Sequence, residues 1–156
     1  SISQLDNAIA EMRRVAHNMM PEALLKFGLD DTLRNYCDSV SENSGLQIAY
    51  QSFGLEDRLD QTTEIVLYRI VQELLNNTLK HADAKQAHIQ LSKNEKTISL
   101  TVEDNGKGFE EDKVEKGNGL LNMQKRIEDI GGVFNLISTP GKGTTIELLL
   151  NKENSL

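Results

Sequence analysis

In "QELLNNTLKHADA", residues 72–84, a glutamate, an asparagine, a lysine and a histidine follow one another at helical spacing: Glu73, Asn77, Lys80 and His81. With about 100° of turn per residue and Glu73 set at zero, Ile70 lies at about 60°, Leu74 at about 100°, Leu67 at about 120°, Val71 at about 160° and Leu75 at about 200°. These apolar positions define a buried arc. Asn77 falls at about 40°, on the margin of that arc beside Glu73 and Ile70. Asn76 falls at about 300° with Arg69 and Gln72 and reads as an ordinary solvated residue. Asparagine is a poor helix-interior residue because its amide competes for backbone hydrogen bonds. A polar group left unpartnered at a core margin costs roughly 1–3 kcal/mol, so Asn77 needs a partner. Two readings stay open from this helix alone: an edge turned toward a ligand, or a polar seam capped within the protein.

Three glycine-rich segments follow. "EDNGKGF" (103–109) leaves a predicted strand and turns at once, so Gly106 and Gly108 suit positive φ or close backbone approach to a ligand. Asp104, at the strand end, is an acceptor-only group directed to the same opening. "GNGLLNM" (117–123) sets Gly117 and Gly119 directly before a helix, where free N–H groups and the positive end of the helix dipole suit a phosphate. "PGKGTT" (140–145) reads equally well as a hairpin turn. Neither of the familiar nucleotide fingerprints is present. "GNGLLN" has Asn122 where a dinucleotide motif needs Gly or Ala, and Lys142 is followed by Gly143 where a P-loop needs Ser or Thr.

These segments need a scaffold. Ile2, Leu5, Ile9, Met12, Ala16 and Met19 alternate steps of three and four, the seam of a helical bundle, and Pro21 stops it. "GLDD" (28–31) predicts a glycine and an aspartate cap for a second helix running to about Gly45. "LQIAYQSF" alternates like a half-buried strand, and Gly54 to Asp60 is the loop after it. The long helix spans 61–82, "AHIQLSK" and "ISLTVED" form a strand pair, "LLNMQKRIEDI" forms a helix closed by Gly131 and Gly132, and "VFNLIS" and "TTIELLL" form a second pair. The expected fold is α+β, a two-layer sandwich of a mixed sheet with helices on one face, preceded by a helical stump. Residues 1–22 are assigned to the bundle and 23–156 to the domain.

At 156 residues and 38% hydrophobic content, the chain has material for one core. A net charge of −7 and a pI of about 5.0 argue against general binding to nucleic acid or anionic membranes. The lone Cys37 can form no internal disulfide, and three scattered histidines make no zinc site. No stretch has the length of a membrane span. We expect a cytoplasmic segment without direct membrane contact. It begins at Ser1, and we expect it to be a fragment of a longer protein with room for a membrane anchor.

Taken in order, E-x-x-x-N-x-x-K-H (Glu73, Asn77, Lys80, His81), D-x-G-x-G (Asp104, Gly106, Gly108), G-x-G-L (Gly117, Gly119, Leu120) and G-x-G-T (Gly141, Gly143, Thr144) resemble the N, G1, G2 and G3 boxes of the GHKL, or Bergerat, ATP-binding fold. Within that superfamily the chain resembles the catalytic domain of two-component sensor histidine kinases. "EMRRVAHNMMPEALLKFGL" and "GLLNMQKRIEDIGG" are similar to the nitrate-sensor and DesK-like type. The resemblance implies ATP and Mg²⁺ as cofactors. Asn77 would coordinate Mg²⁺, and Glu73 would hold a metal-bound water or assist proton transfer. Lys80 and His81 would face phosphate oxygens, and Asp104, helped by Thr144, would take the adenine amino group. Gly117 and Gly119 would admit the triphosphate to the backbone, and residues 109–116 would form a short mobile lid.

The implied function is transfer of the ATP γ-phosphate to a histidine, for relay to a response regulator, by a protein that dimerises through its own helical bundle. His17 in "AHNMMP" is not the expected acceptor. Pro21 comes one residue short of the H-E-x-x-x-P pattern, and the DesK-like type carries H-D or H-E further upstream. Alternatives are an anti-sigma-type serine kinase, with Glu73 as base, and an ATP-gated clamp or binding module. His88 reads as a sheet histidine and Cys37 as a small buried residue.

Overall fold

The computed structural model describes residues 22–108 and 118–151. The bundle seam, His17, Gly117 and the lid segment lie outside the described residues. The chain runs through α1 (Glu22–Phe27), α2 (Leu29–Ser44), β1 (Gln47–Phe53), α3 (Gln61–Asn77), a π-helical turn (Thr78–Ala82), β2 (Gln86–Lys93), β3 (Thr97–Asp104), α4 (Asn118–Asp129), β4 (Gly132–Thr139) and β5 (Gly143–Asn151). The strands make one sheet in the order β1-β2-β3-β5-β4. β1 and β2 are parallel, joined by the α3 crossover, and the remaining pairs are antiparallel. This is the mixed α+β sheet expected.

Alternation gives the sheet two unlike faces. Ile89, Val102, Ile146 and Leu136 are neighbours across β2, β3, β5 and β4, and Leu91, Leu100, Leu148 and Phe134 form the next row. All belong to the core or pack against it, together with Leu67, Ile70, Val71, Leu74 and Leu75 of α3 and Met123 and Ile127 of α4. On the other face Val133, Ile137 and Leu149 are about half exposed. The helices therefore cover a single face.

The helix ends show what local sequence decides and what it does not. Asp60 caps α3, its carboxylate accepting from the Thr63 N–H at 3.1 Å and the Thr63 hydroxyl at 2.7 Å. Gly45 closes α2 in the left-handed conformation at φ 76°. The aspartate cap expected for α2 is absent, however. Gly28 occupies the cap, and Asp30 and Asp31 lie inside the first turn. The first free amide, that of Leu29, is satisfied from a distance by Glu64 Oε2 at 3.0 Å. Asp30 is engaged elsewhere, accepting from the Tyr50 hydroxyl at 2.8 Å.

The apolar arc of α3 is buried as expected, but burial extends further round the helix. Gln72 is buried, its amide donating to the Tyr68 hydroxyl at 3.2 Å, and Tyr36 of α2 packs edge-on against Tyr68 with ring centroids 5.8 Å apart. Asn76, expected to be solvated, is half-buried on that flank. The helical wheel placed Gln72 and Asn76 correctly in angle, but it carried no information that α2 would cover that side.

Candidate functional site

α3 does not run unbroken to residue 82. At Thr78 the hydroxyl bonds back to the Leu74 carbonyl at 2.9 Å, while the Thr78 N–H is shared between the Leu74 and Leu75 carbonyls. Such back-bonding loosens a helix, and here the chain widens into the π-helical turn. A π-turn advances less in angle per residue than an α-helix. That change keeps His81 on the edge defined by Glu73 and Asn77 and swings Lys80 away. Glu73, Asn77, Thr78 and His81 line a cavity of about 440 Å³, whereas Lys80 is exposed and does not line it. The turn ends at Asp83, a non-glycine residue at φ 49°.

The opposite wall comes from the sheet. One register step beyond the apolar row Ile89–Val102–Ile146–Leu136 lies the row Ala87, Asp104, Thr144 and Ser138. An apolar ladder thus ends in three polar side chains on the core-facing side. Asp104 and Thr144 line the cavity above Val102, Leu136 and Ile146. Asp104 accepts from the Gly106 N–H through Oδ1 at 2.9 Å, which orients the carboxylate. The Thr144 and Ser138 hydroxyls are 2.9 Å apart, and Ser138 also donates to the Gly143 carbonyl at 3.3 Å. Ser138 was not anticipated from sequence. Its signal was available in the β4 alternation, where Phe134 and Leu136 are followed on the same face by a serine.

Glycines shape the rim. A Cβ at Gly106 would run into the Ala82 carbonyl, so that loop can lie against the π-turn only without a side chain. Gly143, at φ 98°, packs its Cα against the Asp104 carbonyl and supports the site from behind without lining it. Gly108, at φ 61°, lines the cavity, as do Gly119 and Leu120 at the start of α4. The "TPGKG" segment forms the turn between β4 and β5, and its Gly141 N–H reaches back to the Lys107 carbonyl at 2.6 Å. Of the expected site residues, Glu73, Asn77, His81, Asp104, Gly108, Gly119, Leu120 and Thr144 surround one opening.

The cavity has apolar walls, carboxylates on opposing elements, an amide oxygen and an imidazole, within the 300–1,000 Å³ or so typical of small-ligand sites. Among the described residues no group of three or more His, Cys, Asp or Glu side chains could hold a metal ion. Glu73 and Asn77, two hard oxygen donors one turn apart on the cavity wall, fit a Mg²⁺ ion carried in with phosphates.

A family model described as the histidine kinase-, DNA gyrase B- and HSP90-like ATPase matches residues 62–154. The chain is 33% identical over 141 residues to the signal transduction histidine-protein kinase/phosphatase DegS of Brevibacillus brevis, covering 90% of this chain and 36% of that protein. It is 34% identical over 148 residues to the sensor protein VraS of Staphylococcus saprophyticus, covering 93% and 42%. It is 33% identical over 146 residues to the oxygen sensor histidine kinase NreB of Staphylococcus carnosus, covering 92% and 42%. The chain thus spans well under half the length of these relatives. The histidine kinase domain of the Erythrobacter litoralis EL346 blue-light activated histidine kinase superposes with a TM-score of 0.65 at 22% identity, covering 81% of this chain and 62% of that one, a likeness of fold. On the strength of the match over residues 62–154, the chain belongs to the histidine kinase-, DNA gyrase B- and HSP90-like ATPase family.

Proposed function

We propose that this chain is the ATP-binding catalytic part of a two-component sensor histidine kinase, presenting the γ-phosphate of Mg-ATP to a histidine in another part of the protein, from which a response regulator takes it. One observation carries the reading. A strand-end carboxylate, Asp104, faces across an apolar cavity toward a helical edge bearing Glu73, Asn77 and His81. The apolar floor suits a purine, and Asp104 has an oxygen left for its exocyclic amine after bonding to Gly106. Asn77 and Glu73 would hold Mg²⁺, which supplies charge neutralisation across the phosphates. His81 would donate to a phosphate oxygen. Glu73, exposed at the rim, is placed to hold a water or accept the proton of the incoming imidazole. The kinase-named relatives support transfer to histidine, and Lys80 is left to meet phosphate oxygens from outside the cavity wall.

Nucleotide binding measured by calorimetry with and without Mg²⁺ tests the site. Asn77→Ala should lose most of the Mg²⁺-dependent affinity, about tenfold or more, because the metal loses an oxygen ligand. Asp104→Ala should reduce the preference for ATP over GTP. Unchanged binding in both variants would sink the assignment.

A further inference from the structure

The two walls of the cavity are separate in sequence, and what joins them is a side chain with no role assigned so far. Asn105 follows Asp104 directly, where β3 leaves the sheet. Its Oδ1 accepts from the Lys85 N–H at 3.0 Å and from the Gln86 N–H at 2.9 Å. Its own N–H donates to the Gln86 carbonyl at 3.1 Å. Two residues on, the Lys107 N–H donates to the Ala82 carbonyl at 2.7 Å, and Gly106 lies flat against Ala82. The segment after Asp104 is therefore laced along the segment that follows His81.

We infer that Asn105 is a positioning residue that sets the Asp104 carboxylate in register with the π-turn carrying His81, and that it thereby determines base selectivity. The inference rests on the nucleotide reading of the cavity. Lys85 and Gln86 leave a left-handed residue, Asp83, and enter β2, so their amides lie where the ladder with β3 is running out. Ala87 and Asp104 are the last ladder partners. The Asn105 amide oxygen replaces the missing carbonyls of a continued β3, and one acceptor fixes both chain segments at once. Without it the loop from Asn105 to Lys107 keeps its backbone bonds to Gln86 and Ala82, and Gly106, whose N–H orients the Asp104 carboxylate, is no longer tied to β2 through a side chain. Asn105 is itself exposed and contributes nothing to the core, so its loss need not unfold the protein. The phosphate-facing edge of α3 is held by its own helix and by core packing. The effect should therefore fall on the base end of the site.

Affinities for ATP and GTP, thermal melting and amide exchange would be measured for wild type, Asn105→Ala and Asn105→Asp. Asn105→Ala should weaken ATP by about tenfold while leaving GTP nearly unchanged, so the ATP-to-GTP ratio falls. Asn105→Asp keeps the acceptor oxygen and should keep the ratio, with a small loss common to both nucleotides from the added charge. A lowered melting temperature with an unchanged ratio would show a merely structural residue and overturn the inference, as would loss of the ratio in Asn105→Asp. Amide exchange in the nucleotide-free protein is an independent arm. Faster exchange confined to Lys85 and Gln86 in Asn105→Ala sustains the clamp, and exchange like wild type removes it. If wild type itself bound neither nucleotide, the nucleotide reading would fall, and the exchange arm would still decide whether Asn105 joins the two walls.

Discussion

Helix α3 carries two glutamates, Glu64 and Glu73, nine residues apart and therefore on opposite sides of the helix at about 100° per residue. Glu64 is 3% exposed and saturated with partners. It accepts from the Leu29 N–H, and Arg58 reaches it through Nε at 3.1 and 3.2 Å and through a second guanidinium nitrogen at 2.7 Å. Arg58 also donates to the Leu24 and Leu25 carbonyls at the end of α1, and a Cβ on Gly28 would press on its side chain. One carboxylate thus ties α1, α2 and the loop before α3 together. Glu73 is exposed at the rim of a cavity. The same residue type on the same helix is spent in one place on holding the fold and kept available in the other. Burial and partners tell the two apart, whereas residue type and helical propensity do not.

The largest expected effect is on the closed side. Glu64→Ala removes the acceptor of a buried amide and unties the α1–α2 junction, and should cost about 3 kcal/mol of stability in chemical denaturation. The α3 edge at Asn77 should still bind nucleotide in the folded fraction. A small loss of stability with lost binding would reverse the roles assigned to the two glutamates. On the open side, Glu73→Gln keeps the shape and removes the charge. It should change stability by less than about 0.5 kcal/mol. On the proposed function, phosphoryl transfer to a histidine-bearing acceptor should fall by about a hundredfold, measured as acid-labile phosphate per unit time. An unaltered transfer rate would leave Glu73 without a part in the chemistry.

The same contrast explains what was legible in the sequence. Strand alternation, the α3 arc, the Gly45 and Asp60 helix ends and the order of the glycine-rich segments are local signals, and the five strands, α2 and α4 formed within two residues of their expected bounds, whereas α3 gave way to the π-turn five residues early and α1 was not expected. The features that escaped prediction are tertiary. The Leu29 amide is capped from thirty-five residues away by Glu64, so the local aspartates were assigned a task that the fold gives to another side chain. Gln72 is covered where its amide bonds to Tyr68, the ring that Tyr36 of α2 packs against. At the site, the helical wheel set Glu73, Asn77, Lys80 and His81 on one edge and left open whether that edge faced a ligand, but it assumed constant pitch, and the π-turn moved Lys80 off the wall. Ser138 and Asn105 act through Thr144 and through the Lys85 and Gln86 amides, so their meaning depends on strand register, which a single strand's pattern does not contain.

Cys37 provides the finest test of whether the two sides of α3 are independent. It is fully buried on α2, the helix whose first amide Glu64 holds, and its thiol is pushed up to about 12, chiefly by burial and also by the neighbouring Asp38 charge. At pH 8 only about one thiol in ten thousand would be ionised in the closed structure, so alkylation must wait for α2 to open. Labelling should accelerate in Glu64→Ala, where the hold on Leu29 is gone. In Glu73→Gln it should match wild type within about twofold, a difference of about 0.4 kcal/mol, because the Glu73 edge touches the cavity and not α2. Equal acceleration in both variants would mean that the cavity edge and the α1–α2 junction open together, and that a change at one glutamate is felt through the helix at the other.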